Sequence, residues 1–185
     1  MKIFAIYLRL NLSQKPDWFE DFRLKYDESF DLHVTLIQPR YVNEQQADDL
    51  KSKITQFLDE HRFISEEKVI EFNRLVCDQE QDGTYTFMLL AEKADKVFEL
   101  QRGLRELPKE FSEYVDRATI EYEKNFRPHI TIGRNINTAS FQEVKSYFES
   151  KFSVEGILTD LVLPIVKNTS TEERKDPNNL TILDL

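Results

Sequence analysis

Two short segments of the sequence, residues 33–36 (HVTL) and 129–132 (HITI), repeat the same order of histidine, aliphatic residue, threonine and aliphatic residue. They contain two of the three histidines in the chain. On a β-strand the side chains alternate between two faces, so each histidine shares a face with the threonine two positions later. The aliphatic residues then face the core. Each segment is therefore predicted to present an imidazole beside a hydroxyl.

The four polar side chains of these segments, His33, Thr35, His129 and Thr131, suit one kind of chemistry. Imidazoles titrate near pH 6.5, so one histidine can be neutral while the other is protonated, as concerted general acid–base catalysis requires. Hydroxyl groups donate hydrogen bonds without carrying charge, which suits the oxygens of a phosphoryl group in a transition state. Together these groups indicate cleavage of a phosphodiester.

Other catalytic groups are not indicated. The histidines show no H-E-x-x-H or similar ligand spacing, so no metal site is expected. The four glycines form neither a P-loop nor a G-x-G-x-x-G motif, so ATP use is not indicated and no cofactor is expected. The third histidine, His61, stands at the end of a helical pattern, where a cation favours the helix dipole, and it is assigned a structural role.

The elements that must position these residues follow from the spacing of apolar side chains. Alternating patterns predict strands at 2–9, 33–38, 68–76, 84–91, 129–134, 157–166 and 180–184. Helical spacing predicts helices at 16–26, 44–60, 94–106 and 138–150. Asp82-Gly83, between the third and fourth strands, is typical of a hairpin turn. The predicted class is α+β with antiparallel pairing.

The segments that follow the two histidine motifs resemble each other. Asn43 and Asn137 are each placed to cap a helix, and apolar residues follow each asparagine at the same offsets of four, seven and eleven positions. In both cases an apolar strand precedes the helix and two more strands follow it. This similarity predicts one domain, residues 1–185, built from two strand–helix–strand–strand lobes related by a pseudo-two-fold axis.

Composition limits the environment and the partners of the chain. The 185 residues include 25 Lys and Arg against 34 Asp and Glu, a net charge of −9, so no basic stripe is present to follow a long nucleic-acid duplex. Any nucleic-acid substrate is expected to be short or held at one end. The single cysteine, Cys77, fits a reducing compartment, and no apolar run reaches the roughly 18 residues of a membrane span. We expect a cytoplasmic protein that does not enter a membrane.

The residues around the two motifs carry a resemblance to a known family. Segments 33–39 (HVTLIQP) and 126–134 (FRPHITIGR), with the two histidines 96 positions apart, resemble the 2H phosphoesterase superfamily, specifically its bacterial 2′-5′ RNA ligase-like branch. The second segment is the more specific of the two. The first resembles the subgroup with H-x-T-L-x-x-P and departs from the Phe-Leu-Gly continuation of the better-known members that act on RNA ends. This departure leaves the substrate open.

The resemblance spans essentially the whole chain and implies both a fold and a function. The fold would be bilobal, with antiparallel sheets around a central cleft, helices packed outside and both motifs on the cleft floor. His33 and His129 would be the acid–base pair, and Thr35 and Thr131 the phosphate donors, without a metal. In hydrolysis of a 2′,3′-cyclic phosphate, one histidine would deprotonate water and the other would protonate the leaving ribose oxygen. The sequence does not say which. A monomer acting on a small nucleotide or an RNA 3′ end is expected.

Two alternatives stand beside a cyclic phosphodiesterase. Reversal of the same chemistry would join a 2′,3′-cyclic phosphate to a 5′-hydroxyl and give 2′-5′ RNA ligase activity. A non-catalytic module that binds a nucleotide or an RNA end would keep the cleft without turnover, although binding alone requires no matched acid and base. A turnover assay separates the enzyme from the binding module.

Two arginines near the second motif are further candidates. Arg127 has the strand parity of His129, whereas Arg134 lies beyond Gly133, where the strand is expected to end. Arg127 is therefore preferred as a ligand of the phosphate, and surface solvation is the alternative for both arginines.

Three aromatic side chains, Tyr7, Tyr41 and Phe126, are candidates for stacking on a nucleobase. Aromatic side chains are more often buried in the core, and burial is the alternative for each of them.

Overall fold

The fold is known from a computed structural model that describes residues 1–26, 31–111, 113–148 and 152–185. Within these ranges the chain forms antiparallel strands and helices. The strands are β1 (Lys2–Gln14), β2 (His33–Val42), β3 (Val69–Phe72), β4 (Arg74–Gln79), β5 (Tyr85–Leu90), β6 (His129–Ile136), β7 (Val154–Val166) and β8 (Leu180–Asp184). The helices are α1 (Phe19–Tyr26), α2 (Glu44–Glu60), α3 (Asp95–Glu106), α4 (Thr119–Lys124), α5 (Thr138–Ser146) and α6 (Thr171–Lys175).

The strands form two antiparallel sheets, and each sheet contains one histidine motif. The first sheet has the order β2-β1-β7-β3, with β8 also paired to β7, and the second has the order β4-β5-β6. The first motif begins β2 and the second begins β6, and these two strands contact each other. The predicted α+β class with antiparallel pairing is therefore confirmed.

Four of the helices were indicated by apolar spacing. The bounds of α2 agree with the prediction, α3 begins one residue later, and α1 begins only at Phe19. Helix α5 ends at Ser146, and residues 149 and 150 of the predicted helix lie outside the described residues. The sequence did not predict α4 and α6, because helices of six and five residues are too short to show an apolar period.

The prediction of one strand over residues 68–76 is wrong. The structure divides this segment into β3, which pairs with β7, and β4, which pairs with β5 in the other sheet. The division lies at Asn73, whose backbone N–H donates to the carbonyl oxygen of Leu90 at 3.2 Å. Alternation of apolar residues reports which face a side chain occupies, and it does not show that the chain passes from one sheet to another.

Local signals for turns and caps are confirmed. The turn between β4 and β5 places Gly83 at φ 84°, a left-handed conformation that favours glycine. Asn43 and Asn137 cap α2 and α5, and their side-chain oxygens accept hydrogen bonds from the backbone N–H groups of Gln46 and Ser140, each at 2.9 Å. The apolar residues at the matching offsets are buried or packed against the core: Ala47, Leu50, Ile54, Phe141, Val144 and Phe148.

A buried ion pair connects β2 to the helix that precedes β6. Arg40 and Glu123 are only 4% and 1% exposed, and the Arg40 guanidinium donates to the Glu123 carboxylate. The same carboxylate accepts the backbone N–H of Gln38 at 3.0 Å and the hydroxyl of Tyr114 at 2.9 Å. Glu123 lies on α4, which leads into the second motif, so this network holds the two motif strands in a fixed relation.

Across the described parts of the chain, no helix combines the length and the apolar character needed to cross a membrane.

Candidate active site

Strand alternation places the two motifs as their sequences predict. Val34 and Leu36 on β2, and Ile130 and Ile132 on β6, are at most 1% exposed and belong to the core. The histidines and threonines that alternate with them are half-buried and line a single cleft of about 670 Å³. The structure therefore brings His33, Thr35, His129 and Thr131 together.

Both histidine rings are held by the backbone two residues earlier. Nδ1 of His33 lies 2.8 Å from the carbonyl oxygen of Asp31, and Nδ1 of His129 lies 2.7 Å from that of Arg127. A carbonyl oxygen only accepts hydrogen bonds, so Nδ1 carries the hydrogen in both rings. Nε2 is then the atom of each ring that takes up or releases a proton in the cleft.

The surroundings of the histidines favour their neutral forms. Burial is the main cause of a low pKa for His33, about 4, and the positive charge of Arg134 acts in the same direction. Burial also lowers the pKa of His129, and Arg134 contributes there too, while the negative charge of Asp78 opposes them. A negatively charged group bound between the rings would raise both pKa values, because opposite charge favours the protonated form.

A β-bulge in β6 corrects the expectation for Arg134. The strand does not end at Gly133 but continues to Ile136. Thr131 pairs with Met88 and Gly133 with Phe87, so two steps on β6 correspond to one step on β5. The extra residue shifts the alternation, and Arg134 faces the cleft that also contains His129.

Glycine suits the bulge because the packing there is close. A Cβ atom at position 133 would lie 2.9 Å from Cδ1 of Ile136 and 3.3 Å from Cε1 of Phe22 on α1. Both neighbours belong to the buried core. Gly133 thus permits the bulge to pack against α1 while Arg134 reaches the cleft.

The first motif has the same irregularity. Thr35 pairs with Tyr7 and Ile37 with Ile6, so β2 also contains an extra residue after its threonine. Gln38 lines the cleft at the position that corresponds to Arg134, 96 residues earlier in the chain. The two motifs therefore share a bulge, but at the matching position the first has the amide of Gln38 and the second has the guanidinium of Arg134.

The cleft is also lined by cationic side chains that the sequence pattern does not single out. Arg9 is paired with His33 across the β1–β2 ladder, and Arg174 and Lys175 lie on α6. Arg134 and Arg174 both line the cleft, and burial and the positive charge of Arg134 lower the pKa of Arg174. Two guanidinium groups in one cleft favour an anion there in an otherwise acidic protein.

A sequence signal existed for one of these residues. Arg9 has the same strand parity as Tyr7, one of the three aromatic candidates for stacking on a nucleobase. For Arg174 no such signal exists, because it lies in a charged run between β7 and β8 that reads as a solvated surface.

The other candidates from the sequence lie at different places. The ring of Tyr7 lines the cleft, with its centroid 4.9 Å from that of His33. Arg127 and Phe126 line a smaller neighbouring pocket, and Phe126 packs against Phe98 at a centroid distance of 5.6 Å. Tyr41 is not among the described residues that line either cavity, and its backbone N–H donates to the carbonyl oxygen of residue 113 at 2.9 Å.

His61 lies at the C-terminal end of α2, outside the cleft lining. Its Nδ1 is 2.8 Å from the carbonyl oxygen of Phe57, and the two rings stack at 4.0 Å. These contacts fit the structural role assigned to it. Within the described ranges, no group of three or more His, Cys, Asp or Glu side chains is arranged to hold a metal ion.

Comparison with solved structures shows similarity along nearly the full chain. Usb1 of Kluyveromyces marxianus is 13% identical, with a TM-score of 0.56 and coverage of 99% of this chain and 98% of that one. The same protein with uridine monophosphate gives 12% identity, a TM-score of 0.53 and the same coverage. Escherichia coli LigT complexed with 3′-AMP gives 13% identity, a TM-score of 0.47 and coverage of 100% and 95%. At these identities the similarity to Usb1 concerns the fold.

Comparison of sequences identifies the family. No curated protein matches the chain. Residues 13–167 match the family model of the 2′-5′ RNA ligase superfamily, which covers most of the 185 residues. The protein therefore belongs to the 2′-5′ RNA ligase superfamily of 2H phosphoesterases, as the sequence resemblance predicted.

Proposed function

We propose that the protein is a metal-independent cyclic phosphodiesterase that hydrolyses a 2′,3′-cyclic phosphate of a small nucleotide or of an RNA 3′ end. The observation that supports this most directly is the placement of two imidazoles and two hydroxyls in one cleft. Arg134 and Arg174 add the positive charge that a phosphodiester anion requires. Binding alone does not require two matched histidines.

The chemistry assigns a part to each group. Nε2 of one histidine removes a proton from water, the water oxygen forms a bond to phosphorus, and the bond from phosphorus to one ribose oxygen breaks. Nε2 of the other histidine gives its proton to that oxygen, so protons balance over the reaction. Thr35, Thr131 and Arg134 stabilise the negative charge on the other phosphoryl oxygens in the transition state.

The surroundings of the two rings favour His33 as the base and His129 as the acid. Positive charges of Arg134 and Arg174 act against protonation of His33. Arg134 acts in the same direction on His129, but there the carboxylate of Asp78 opposes it. The ring that is more strongly held in its neutral form is available to accept the proton of water. The ring beside a carboxylate keeps the proton that is donated.

We also infer that residues 1–185 form one domain of two similar lobes that works as a monomer. The matching helix caps, bulges and ring hydrogen bonds at a separation of about 96 residues support this inference. Each lobe would then contribute one histidine and one threonine to a single phosphate.

The test is turnover of a panel of 2′,3′-cyclic mononucleotides, oligonucleotides with cyclic ends and ADP-ribose cyclic phosphate, with and without EDTA. We expect hydrolysis that EDTA does not reduce. Loss of activity with EDTA and its rescue by one divalent ion would contradict the metal-independent mechanism. Binding of these ligands without any turnover would favour the non-catalytic binding module, and joining to a 5′-hydroxyl would reveal the ligase reaction.

A further inference from the structure

A second cavity of about 230 Å³ adjoins the catalytic cleft, and we call it the side pocket. The two cavities share Thr35, Gln38, Met88, Tyr122 and His129 in their walls. The rest of the side pocket is formed mainly by Val76, Asp78, Leu90, Glu121, Asn125 and Phe126. A ligand whose phosphate contacts His129 and Thr35 can therefore place the group attached to that phosphate in the side pocket.

The apolar and aromatic surface of the side pocket suits a flat ring. Val76, Leu90 and Phe126 supply apolar surface, and the ring of Tyr122 is 50% exposed. Base stacking on aromatic side chains tolerates every base, so these surfaces explain binding of a nucleobase but not a choice among bases.

The polar groups of the side pocket are mostly acceptors. Oδ2 of Asp78 accepts a hydrogen bond from the hydroxyl of Tyr122 at 2.9 Å. Burial and Asp78 raise the pKa of Tyr122 to about 12, so this hydroxyl remains a donor at neutral pH. The side-chain amide of Asn125 donates to Glu121 at 2.6 Å, which leaves the Asn125 amide oxygen as an acceptor. Glu121, Asn125 and Arg127 in the wall are all exposed to solvent, whereas Asp78 is half-buried.

The Tyr122 hydroxyl fixes Asp78 without using its full capacity. An ionised carboxylate has about four acceptor positions on two oxygens, and Tyr122 occupies one of them. Two neighbouring N–H donors of a ligand can therefore bind Asp78 in a bidentate manner. Guanine presents such a pair at N1 and at its exocyclic amino group. Uracil presents one N–H between two carbonyl oxygens, which a carboxylate repels.

We propose that the side pocket binds the nucleobase of the substrate and that Asp78 selects bases with adjacent N–H donors, guanine above all. Because this inference rests on the proposed function, turnover and binding must be measured separately. Asp78 also influences the pKa of His129, so its removal is expected to change the rate with every base. An effect that is the same for every substrate cancels in the ratio of the kcat/KM values for two substrates that differ in their base.

The first experiment compares the 2′,3′-cyclic phosphates of guanosine, inosine and uridine with the wild-type protein. Inosine differs from guanosine only by the exocyclic amino group. A bidentate contact discriminates by about 1–3 kcal/mol, so we expect guanosine to exceed inosine and uridine by about 5- to 150-fold in kcat/KM. Equal values for the three substrates would overturn the inference.

The second experiment measures the same ratios in Asp78→Asn and Tyr122→Phe. Asp78→Asn should abolish the preference for guanosine, and Tyr122→Phe, which keeps the ring but releases Asp78, should reduce it. Glu71→Gln makes the same change in charge at an exposed position of β3 and should keep the preference. A preference that Asp78→Asn retains in full, with the variant shown to be folded by circular dichroism, would overturn the inference.

A binding measurement separates the two proposals. Calorimetric titration with the 3′-monophosphates of guanosine, inosine and uridine reports the side pocket without catalysis. Guanosine-selective binding that depends on Asp78, without hydrolysis of any cyclic phosphate, would support the side pocket and contradict the proposed reaction. Hydrolysis with neither selective turnover nor selective binding would contradict the side pocket alone.

Discussion

Nδ1 of His33 lies 2.8 Å from the backbone carbonyl oxygen of Asp31. The second motif repeats this contact between His129 and Arg127 at 2.7 Å. Backbone atoms thus set the tautomer of both rings, and Nε2 is the proton-exchanging atom of each. The pH controls how many protons the two Nε2 atoms hold. The proposed mechanism requires one proton on the pair.

The pH dependence of catalysis should reflect the low pKa values of both rings. Since one ring must be neutral and the other protonated, kcat/KM should follow a bell whose optimum lies below pH 6.5, because kcat/KM reports the unliganded protein. The bell for kcat should lie at higher pH, because the negative substrate raises both pKa values. Each limb belongs to the coupled pair. Initial rates between pH 4 and 9 test this, and a kcat/KM optimum above pH 6.5 would be inconsistent with it.

The same groups should make the fold less stable in acid. The folded protein lowers the pKa of His33 to about 4, below its ordinary value of about 6.5, so the unfolded chain binds the proton more readily. The free energy of unfolding should therefore be highest above pH 6.5 and fall as the pH decreases from 6.5 towards 4. His33→Asn should reduce this fall. Urea denaturation at several pH values measures it, and an unchanged slope in the variant would count against a buried neutral ring.

Arg134 should contribute more to catalysis than Arg127, contrary to the ranking by strand parity. Arg134 lines the cleft and lowers the pKa of both histidines, whereas Arg127 lies in the side pocket. Loss of one donor to a transition-state oxyanion costs about 100- to 1,000-fold, so Arg134→Gln should reduce kcat by that order. Arg127→Gln should have the smaller effect. Steady-state kinetics decide, and the opposite order would restore the ranking made from the sequence.

The strand pattern was predictable from the sequence because it repeats every two residues, and it placed His33, Thr35, His129 and Thr131 correctly on one face. The place of Arg134 was not predictable, since a single bulged residue reverses the parity of all that follow. Arg174 was missed for another reason. Its approach to the cleft depends on how α6 packs after β7, and a charged pentapeptide carries no signal for that.

The buried pair Arg40–Glu123 should be important for stability. Arg40→Met would leave the buried Glu123 carboxylate with only the more distant guanidinium of Arg105, at 3.9 Å, and removing one partner of a buried ion pair typically costs about 3–5 kcal/mol. The double variant Arg40→Met/Glu123→Leu should lose less than the sum of the two single changes, because no unpaired charge remains.

Arg62→Ala, which removes an exposed pair with Asp59, should cost less than about 1 kcal/mol. Urea denaturation of the four variants provides the values. A small loss in Arg40→Met would refute the importance of the pair.

The most direct test of the proposed mechanism is the rate at which His33→Ala and His129→Ala hydrolyse a 2′,3′-cyclic nucleotide that the wild-type protein turns over. Each change should reduce kcat by about 100- to 10,000-fold, the usual contribution of a general acid or base. The double variant should lose less than the product of the two effects, because the rings act as a unit. His61→Ala, outside the cleft, should keep the wild-type rate. If either single variant remains folded and hydrolyses the substrate at the wild-type rate, the two-histidine mechanism is wrong.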